Sequence, residues 1–420
     1  MGCRFLPTLL ASLALGIALP MPVAAQAPEI VPPWGRELGG LSSVSAQEPH
    51  REPAEPVETA TTENGKEEHR PLFWVEAEYL LWFTRNGGVP PLLTRGQTTA
   101  PIPGAVGQIG TKYLYGGSID FKDRSGGRFT AGMPLGDGPF GIEATYFFLS
   151  ARDTGTFATS PGDPVLARPF YDVVNNREDA SLVTYPGVLK GAIDIKTSSF
   201  MHNGEVNLSA TIWQCEKKRV TLLGGFRYMN LNEELKILES SVGDVGAMQF
   251  FGANFLISDR FAVDNDFYGG QLGMRAEFPL GPVDVGLVAK VALGDSHEAL
   301  TVAGQTTVTG PIPINAPAGL YALASNSGNF NRDRLAVVPE VGVRIGLNIT
   351  KRLSVFAGYA FIYWSDVMRP GEQIDRGLNP NLIPTSLTYG APGGPVRPAP
   401  LLHSTGFYAH GLDLGLTFRY

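Results

Sequence analysis

Charged side chains recur at alternate positions of otherwise apolar stretches. The acids are Glu76, Glu78, Glu143, Glu205, Glu277, Asp284, Glu340 and Asp413, and the bases are Arg128, Arg227, Arg275, Lys290, Arg344 and Arg419. A charge taken out of water must find an opposite partner. Eight carboxylates and six cations gathered in one interior would either neutralise one another as a salt-bridged plug or line a narrow path for small solutes or ions. The near balance favours the plug.

Other chemistry is poorly supplied. The histidines are His50, His69, His202, His297, His403 and His410, and none has the H-E-x-x-H spacing of a zinc site. There is no G-x-S-x-G elbow, P-loop or G-x-G-x-x-G turn. Ser404 and His410 lie close in sequence, but proximity along one strand is not a catalytic triad, and His410 suits an aromatic girdle better. Asp259, Asp264, Asn265 and Asp266 lack EF-hand spacing and read as turn residues. No enzyme, cofactor or metal is expected, and a net charge of −7 gives no reason to expect nucleic acid as a partner.

The elements that must hold these charges are strands. Phe73, Val75, Ala77, Tyr79, Leu81 and Phe83 share one face, opposite Glu76 and Glu78. Val283, Val285, Leu287, Ala289, Val291 and Leu293 share another, opposite Asp284 and Lys290. A period of two is the mark of a strand with two different faces. Such runs reach ten or more residues, the length a strand needs to cross a membrane rather than the five or six usual in soluble sheets. Gly and Pro make up a fifth of the 420 residues and charged residues only 17%, which excludes a helical bundle. Glycines on the polar face suit a crowded interior.

Gaps between the runs alternate in length. Residues 134–139, 214–218, 279–282 and 348–351 are short gaps. Residues 85–125, 151–197, 236–263, 301–332 and 365–403 are long ones. Tight turns at one rim and long loops at the other are the mark of an outer-membrane barrel. We therefore expect an all-β, antiparallel transmembrane β-barrel with strands near 72–84, 126–133, 140–150, 198–213, 219–235, 264–278, 282–300, 333–347, 352–364 and 404–420. Residues 112–121 either extend the second strand or add one, which leaves ten strands or twelve. Pro339 has no N–H to give a ladder and should mark a bulge or an outer rim. Tyr79, Trp82, Tyr146, Tyr228, Tyr268, Tyr359, Tyr363, Trp364 and Tyr408 are candidates for aromatic belts, with Trp82 and Trp364 at the rim.

Two terminal signals agree. Arg4, the apolar run Leu9–Leu19 and Val23-Ala24-Ala25 follow the order of a secretory signal, so residues 1–25 read as a signal peptide cut after Ala25, with Ala27 as the alternative. Residues 26–71, rich in Pro and Glu, cannot bury enough apolar surface to order themselves and read as a flexible acidic linker before a barrel over 72–420. At the other end Leu412, Leu414, Leu416, Phe418 and Tyr420 alternate up to a terminal aromatic. This is similar to the signal by which the barrel-assembly machinery recognises its clients, although most such signals end in Phe.

Several motifs resemble a bacterial outer-membrane β-barrel family whose members are known mostly by fold alone. They are Trp74–Trp82, Ser125–Phe129, Phe140–Phe148, Gly225–Tyr228, Asn265–Gly273, Gly358–Gly371 and Gln373–Arg376. Together they span the barrel and leave the linker unmatched. The resemblance implies an outer-membrane barrel and brings no catalytic residue. The expected partners are the lipid bilayer, the assembly machinery, and other surface proteins or a cell-wall polymer. The expected place is the outer membrane of a diderm bacterium. The expected role is structural or surface-displaying, with a narrow porin-like channel as the alternative and a secreted glycan-binding β-protein as a third.

Overall fold

A computed structural model of the chain describes Arg4–Phe5 and residues 72–420. The remainder of the expected signal peptide and the linker lies outside the described residues. In chain order the strands are β1 (Arg4–Phe5), β2 (Trp74–Thr84), β3 (Gly87–Gly96), β4 (Lys112–Ile119), β5 (Asp123–Pro134), β6 (Phe140–Ser160), β7 (Val165–Asp172), β8 (Arg177–Leu182), β9 (Leu189–Cys215), β10 (Lys218–Gly243), β11 (Asn254–Leu280), β12 (Val283–Thr309), β13 (Ile314–Ala316), β14 (Gly328–Asn348), β15 (Leu353–Met368), β16 (Gly377–Leu378) and β17 (Ser404–Arg419).

Ten of them close a ring in the order β2, β5, β6, β9, β10, β11, β12, β14, β15, β17 and back to β2, every neighbour antiparallel. Closure leaves the ring no unpaired edge, and this is what lets strands cross a membrane. Phe418 pairs with Val75 across the seam, and Tyr420 stacks on Phe73 at 5.5 Å. Four tight turns join strands at one rim, and both ends of the ring meet there.

The ring is closed over only part of its height. The β5–β6 ladder ends at Gly126↔Leu149, yet β6 and β9 stay paired up to Ser160↔Gly191. The β14–β15 ladder ends at Glu340↔Ile362, yet β12 and β14 stay paired up to Val302↔Gly328. Six strands therefore continue as an open wall. Against it pack a second sheet, β16–β7–β3–β4 with β8 on β7, and the long connections. Leu93, Leu166 and Phe170 from that sheet share one core with Ile193, Leu235, Phe261 and Val302 from the wall. Each such side chain contributes roughly 1.5–3 kcal/mol on burial.

Four expectations need correction. Much of the long gaps is strand: β10 and β11 run on to Gly243 and from Asn254, so residues 236–263 are mostly wall. Alternation persists there, but its sense reverses. Leu235 and Ile237 are buried while Lys236 between them is exposed; lower on the same strand Arg227 is buried and Phe226 exposed. A search for polar-in, apolar-out strands stops where the outer solvent changes from lipid to water. Residues 112–119 form β4 of the second sheet, neither a barrel strand nor part of one. Trp82 and Trp364 stand at the upper limit of the closed ring but are fully buried in its interior, not in a lipid-facing aromatic belt. The segment Asp259–Asp266 is strand, not turn. Pro339 sits one residue above the last β14–β15 pair, where the missing N–H removes nothing from that ladder.

Candidate functional site

Because the pleat turns alternate side chains inward, each strand carries a column into the interior. On β10 the column reads Arg227, Met229, Leu231, Glu233, Leu235, Ile237, Glu239, all buried. Neighbouring columns are also polar towards the short-turn rim and more apolar further up, with polar side chains such as Ser199, Asn265 and Glu298 between, and the interior is stacked in layers.

The layer nearest the short-turn rim holds the charges singled out by spacing. Most pairs join strands that are not neighbours, so they cross the interior. Arg128 on β5 reaches Glu78 at 3.1 Å and Asp413 at 3.4 Å. Arg275 on β11 grips Glu143 on β6 with two bonds of 2.9 Å. Lys290 on β12 meets Glu205 at 2.7 Å and Glu340 at 3.1 Å. Arg227 bonds Glu205 at 2.7 Å and also Glu340. Arg344 on β14 reaches Glu76 on β2 at 3.0 Å and Glu277 at 3.3 Å. Buried pairs of this kind are close to neutral when intact and cost several kcal/mol when one partner is removed. Asp284 and Arg419 are half-buried at the mouth, on Asn348 and Ser354.

Two cavities open along this layer. One of about 250 Å³ at the mouth is lined by Arg219, Glu277, Asp284, Arg344 and Arg419. One of about 100 Å³ further in is lined by Glu76, Glu78, Arg128, Glu340 and Asp413. Both share Gly286, Arg344 and Phe356. A Cβ on Gly286 would stand 2.8 Å from the Arg344 side chain, so glycine leaves that guanidinium its room. Arg227 Nε and Nη1, Arg128 Nη2 and Asn207 Nδ2 find no protein partner, and such groups bond to water in folded proteins.

Above the charges lies an apolar layer of Trp82, Phe147, Phe267, Trp364 and Phe407, each no more than 2% exposed. Trp82 ties the two layers together by donating from Nε1 to Asp413 at 2.7 Å. A second ionic level, whose members the spacing of charges does not single out, follows. Arg369 holds Glu233 with two bonds, and Glu298 accepts from Arg332 at 2.7 Å and from Ser404 at 2.6 Å. Highest is Arg168 of β7, paired with Asp259 and Glu239. Burial alone would lower its pKa, but the two carboxylates override this and hold it above the ordinary arginine value. Asp259 also accepts backbone N–H bonds from Leu320, Tyr321 and Ala322 at 2.7–3.0 Å. Sequence points to the second ionic level through Arg369, which lies within the Gly358–Gly371 motif, and to the highest only through Asp259, read there as a turn residue.

Outside, the rings form arcs. Tyr146, His202, Tyr228 and Tyr268 follow one another at centroid distances of 5.1–6.1 Å. His410 sits among Phe83, Tyr359, Phe361 and Tyr408, with Nδ1 2.6 Å from the Tyr359 hydroxyl. Ser404 is engaged elsewhere, with Glu298 and Arg332, so the two do not form a nucleophile–base pair. No group of three His, Cys, Asp or Glu able to hold a metal occurs among the described residues. Leu412, Leu414, Leu416, Phe418 and Tyr420 all point outward.

A closed ring with an apolar, aromatic-girdled exterior and a charged interior defines an outer-membrane β-barrel protein. The chain matches the family described as "Putative beta barrel porin-7" over residues 74–420, and it belongs to that family. No curated protein matches it. Among solved structures it is similar to the outer membrane protease OmpT from Escherichia coli, with 7% identity, 83% of this chain and 96% of that chain covered, and a TM-score of 0.41. It is also similar to a deletion mutant of the TodX monoaromatic hydrocarbon channel, with 8% identity, 84% and 91% covered, and a TM-score of 0.21. Neither likeness carries an inference about activity.

Proposed function

We propose that this protein is a non-catalytic, structural barrel that displays a folded cap at the cell surface, with its short-turn rim in the periplasm of a diderm bacterium. The observation behind this reading is the apolar layer around Trp82 and Trp364, which lies between the charged mouth and the cap. In this reading the signal peptide over 1–25 directs export and the acidic linker over 26–71 stays periplasmic, within reach of a cell-wall polymer. The outward series ending in Tyr420 is the segment offered to the assembly machinery, and the cap meets neighbouring surface proteins. Single-channel recording in planar bilayers tests it: the purified barrel gives a flat trace. Discrete conductance steps would replace it with the second reading, a narrow channel, which the charged cavities at the mouth favour.

A further inference from the structure

The membrane face of the ring carries a slot. One row of outward side chains, each the direct cross-strand neighbour of the next, runs Phe418, Val75, Ala131, Ala144, Val206, Phe226 over β17, β2, β5, β6, β9 and β10. Aromatic rings stand at both ends, and the middle is small. In the next row Phe129 and Tyr146 rise beside Ala131 and Ala144. The result is an apolar depression of about 730 Å³. At its short-turn end Leu353, which pairs with Phe418, follows the exposed Lys351 and Arg352 of the β14–β15 turn. The Arg352 guanidinium lies over the Tyr420 ring at 5.3 Å.

We propose that this slot retains one acyl chain of a glycerophospholipid whose phosphate rests on Lys351 and Arg352. Shape and charge both select this occupant. A stable pair of copies buries about 800 Å² on each partner, and the convex wall of a second barrel would rest on the rings of Phe129, Tyr146, Phe226 and Phe418 and leave Ala131 and Ala144 between them uncovered. A flexible chain can cover them. Lipid tails are as apolar as the wall, so no hydrophobic gain drives retention. It rests on the dispersion contacts of a chain laid among Phe129, Tyr146, Phe226 and Phe418 and on charge-assisted bonds from the two cations to the phosphate.

Native mass spectrometry of the full-length protein, extracted in mild detergent and supplied with phosphatidylglycerol, tests this. The unaltered protein keeps one lipid. Ala144→Trp fills the slot and lowers retention at least tenfold. Gly204→Trp does the same from the adjoining row, where a Cβ would meet nothing within 4 Å. A Lys351→Glu, Arg352→Glu double variant loses phosphatidylglycerol several-fold but keeps diacylglycerol, which has no phosphate. Heat-modifiable gel mobility shows that each variant is still a closed barrel. Equal lipid retention in folded Ala144→Trp would overturn the proposal, as would disulfide-linked dimers from a folded Ala144→Cys variant.

Discussion

The lower and upper halves of this molecule use the same strands in opposite senses. On β11, Leu272 and Leu256 both point outward and are 58% and 47% exposed. Beside Leu272 the inward neighbours are polar or small, such as Gln271 and Gly273; beside Leu256 the nearby inward residues are Ile257 and Phe261. The lower half hides charge and shows hydrocarbon, while the upper half hides hydrocarbon and shows Arg260 and Lys236. The strand is continuous, and only the solvent differs. Strands of up to 27 residues, against the ~9–11 a bilayer needs, thus belong to two environments at once.

This contrast is open to test, and the largest effect should fall in the upper half. Asp259→Ala removes one of the two carboxylates that hold Arg168 and the acceptor of three N–H groups. It should destabilise the cap by about 3–5 kcal/mol and expose residues 310–327 to protease. Heat-modifiable mobility of the barrel should persist; if barrel and cap fail together, the two halves are one cooperative unit. Next in size is a paired substitution on β11. Leu272→Arg should cost roughly 2–4 kcal/mol in lipid vesicles, whereas Leu256→Arg should stay within about 0.5 kcal/mol, both read from urea titration. Equal costs would mean that the membrane boundary has been misplaced. The smallest effect belongs to Lys236→Ala. It breaks an exposed pair with Glu234 at 2.8 Å and should change stability by less than about 1 kcal/mol.

Surface proteolysis of intact cells sharpens the same boundary. Cuts are expected at 244–253, the short tip joining β10 to β11, and not across all of 236–263. Cleavage inside 236–243 would mean that the upper wall does not form on the cell.

Much of the lower half was legible in sequence. Glu76 and Glu78 announce their shared face because Val75, Ala77 and Tyr79 separate them, and the gap pattern yields ten strands. The upper half was legible only in part. Leu235, Ile237, Phe261 and Val263 alternate as clearly as any barrel residue, but with apolar side chains inward. A reading that required polar residues inside ended those strands too early. Trp82 and Trp364 belong to no lipid-facing belt for a related reason, since a large aromatic in a small barrel's interior makes sense only once the apolar layer around it is seen.

Sequence by itself determined what is local: the two-residue period, the face each side chain takes, the tight turns and the alternating gaps. These follow from the pleat of an extended chain and need no distant partner. Tertiary structure alone decided that Arg344 meets Glu76, that Arg275 meets Glu143, and that residues 85–122 and 161–188 fold against the upper wall. Those outcomes depend on how ten strands are staggered when the ring closes, and that stagger is a property of the closed sheet rather than of any one strand.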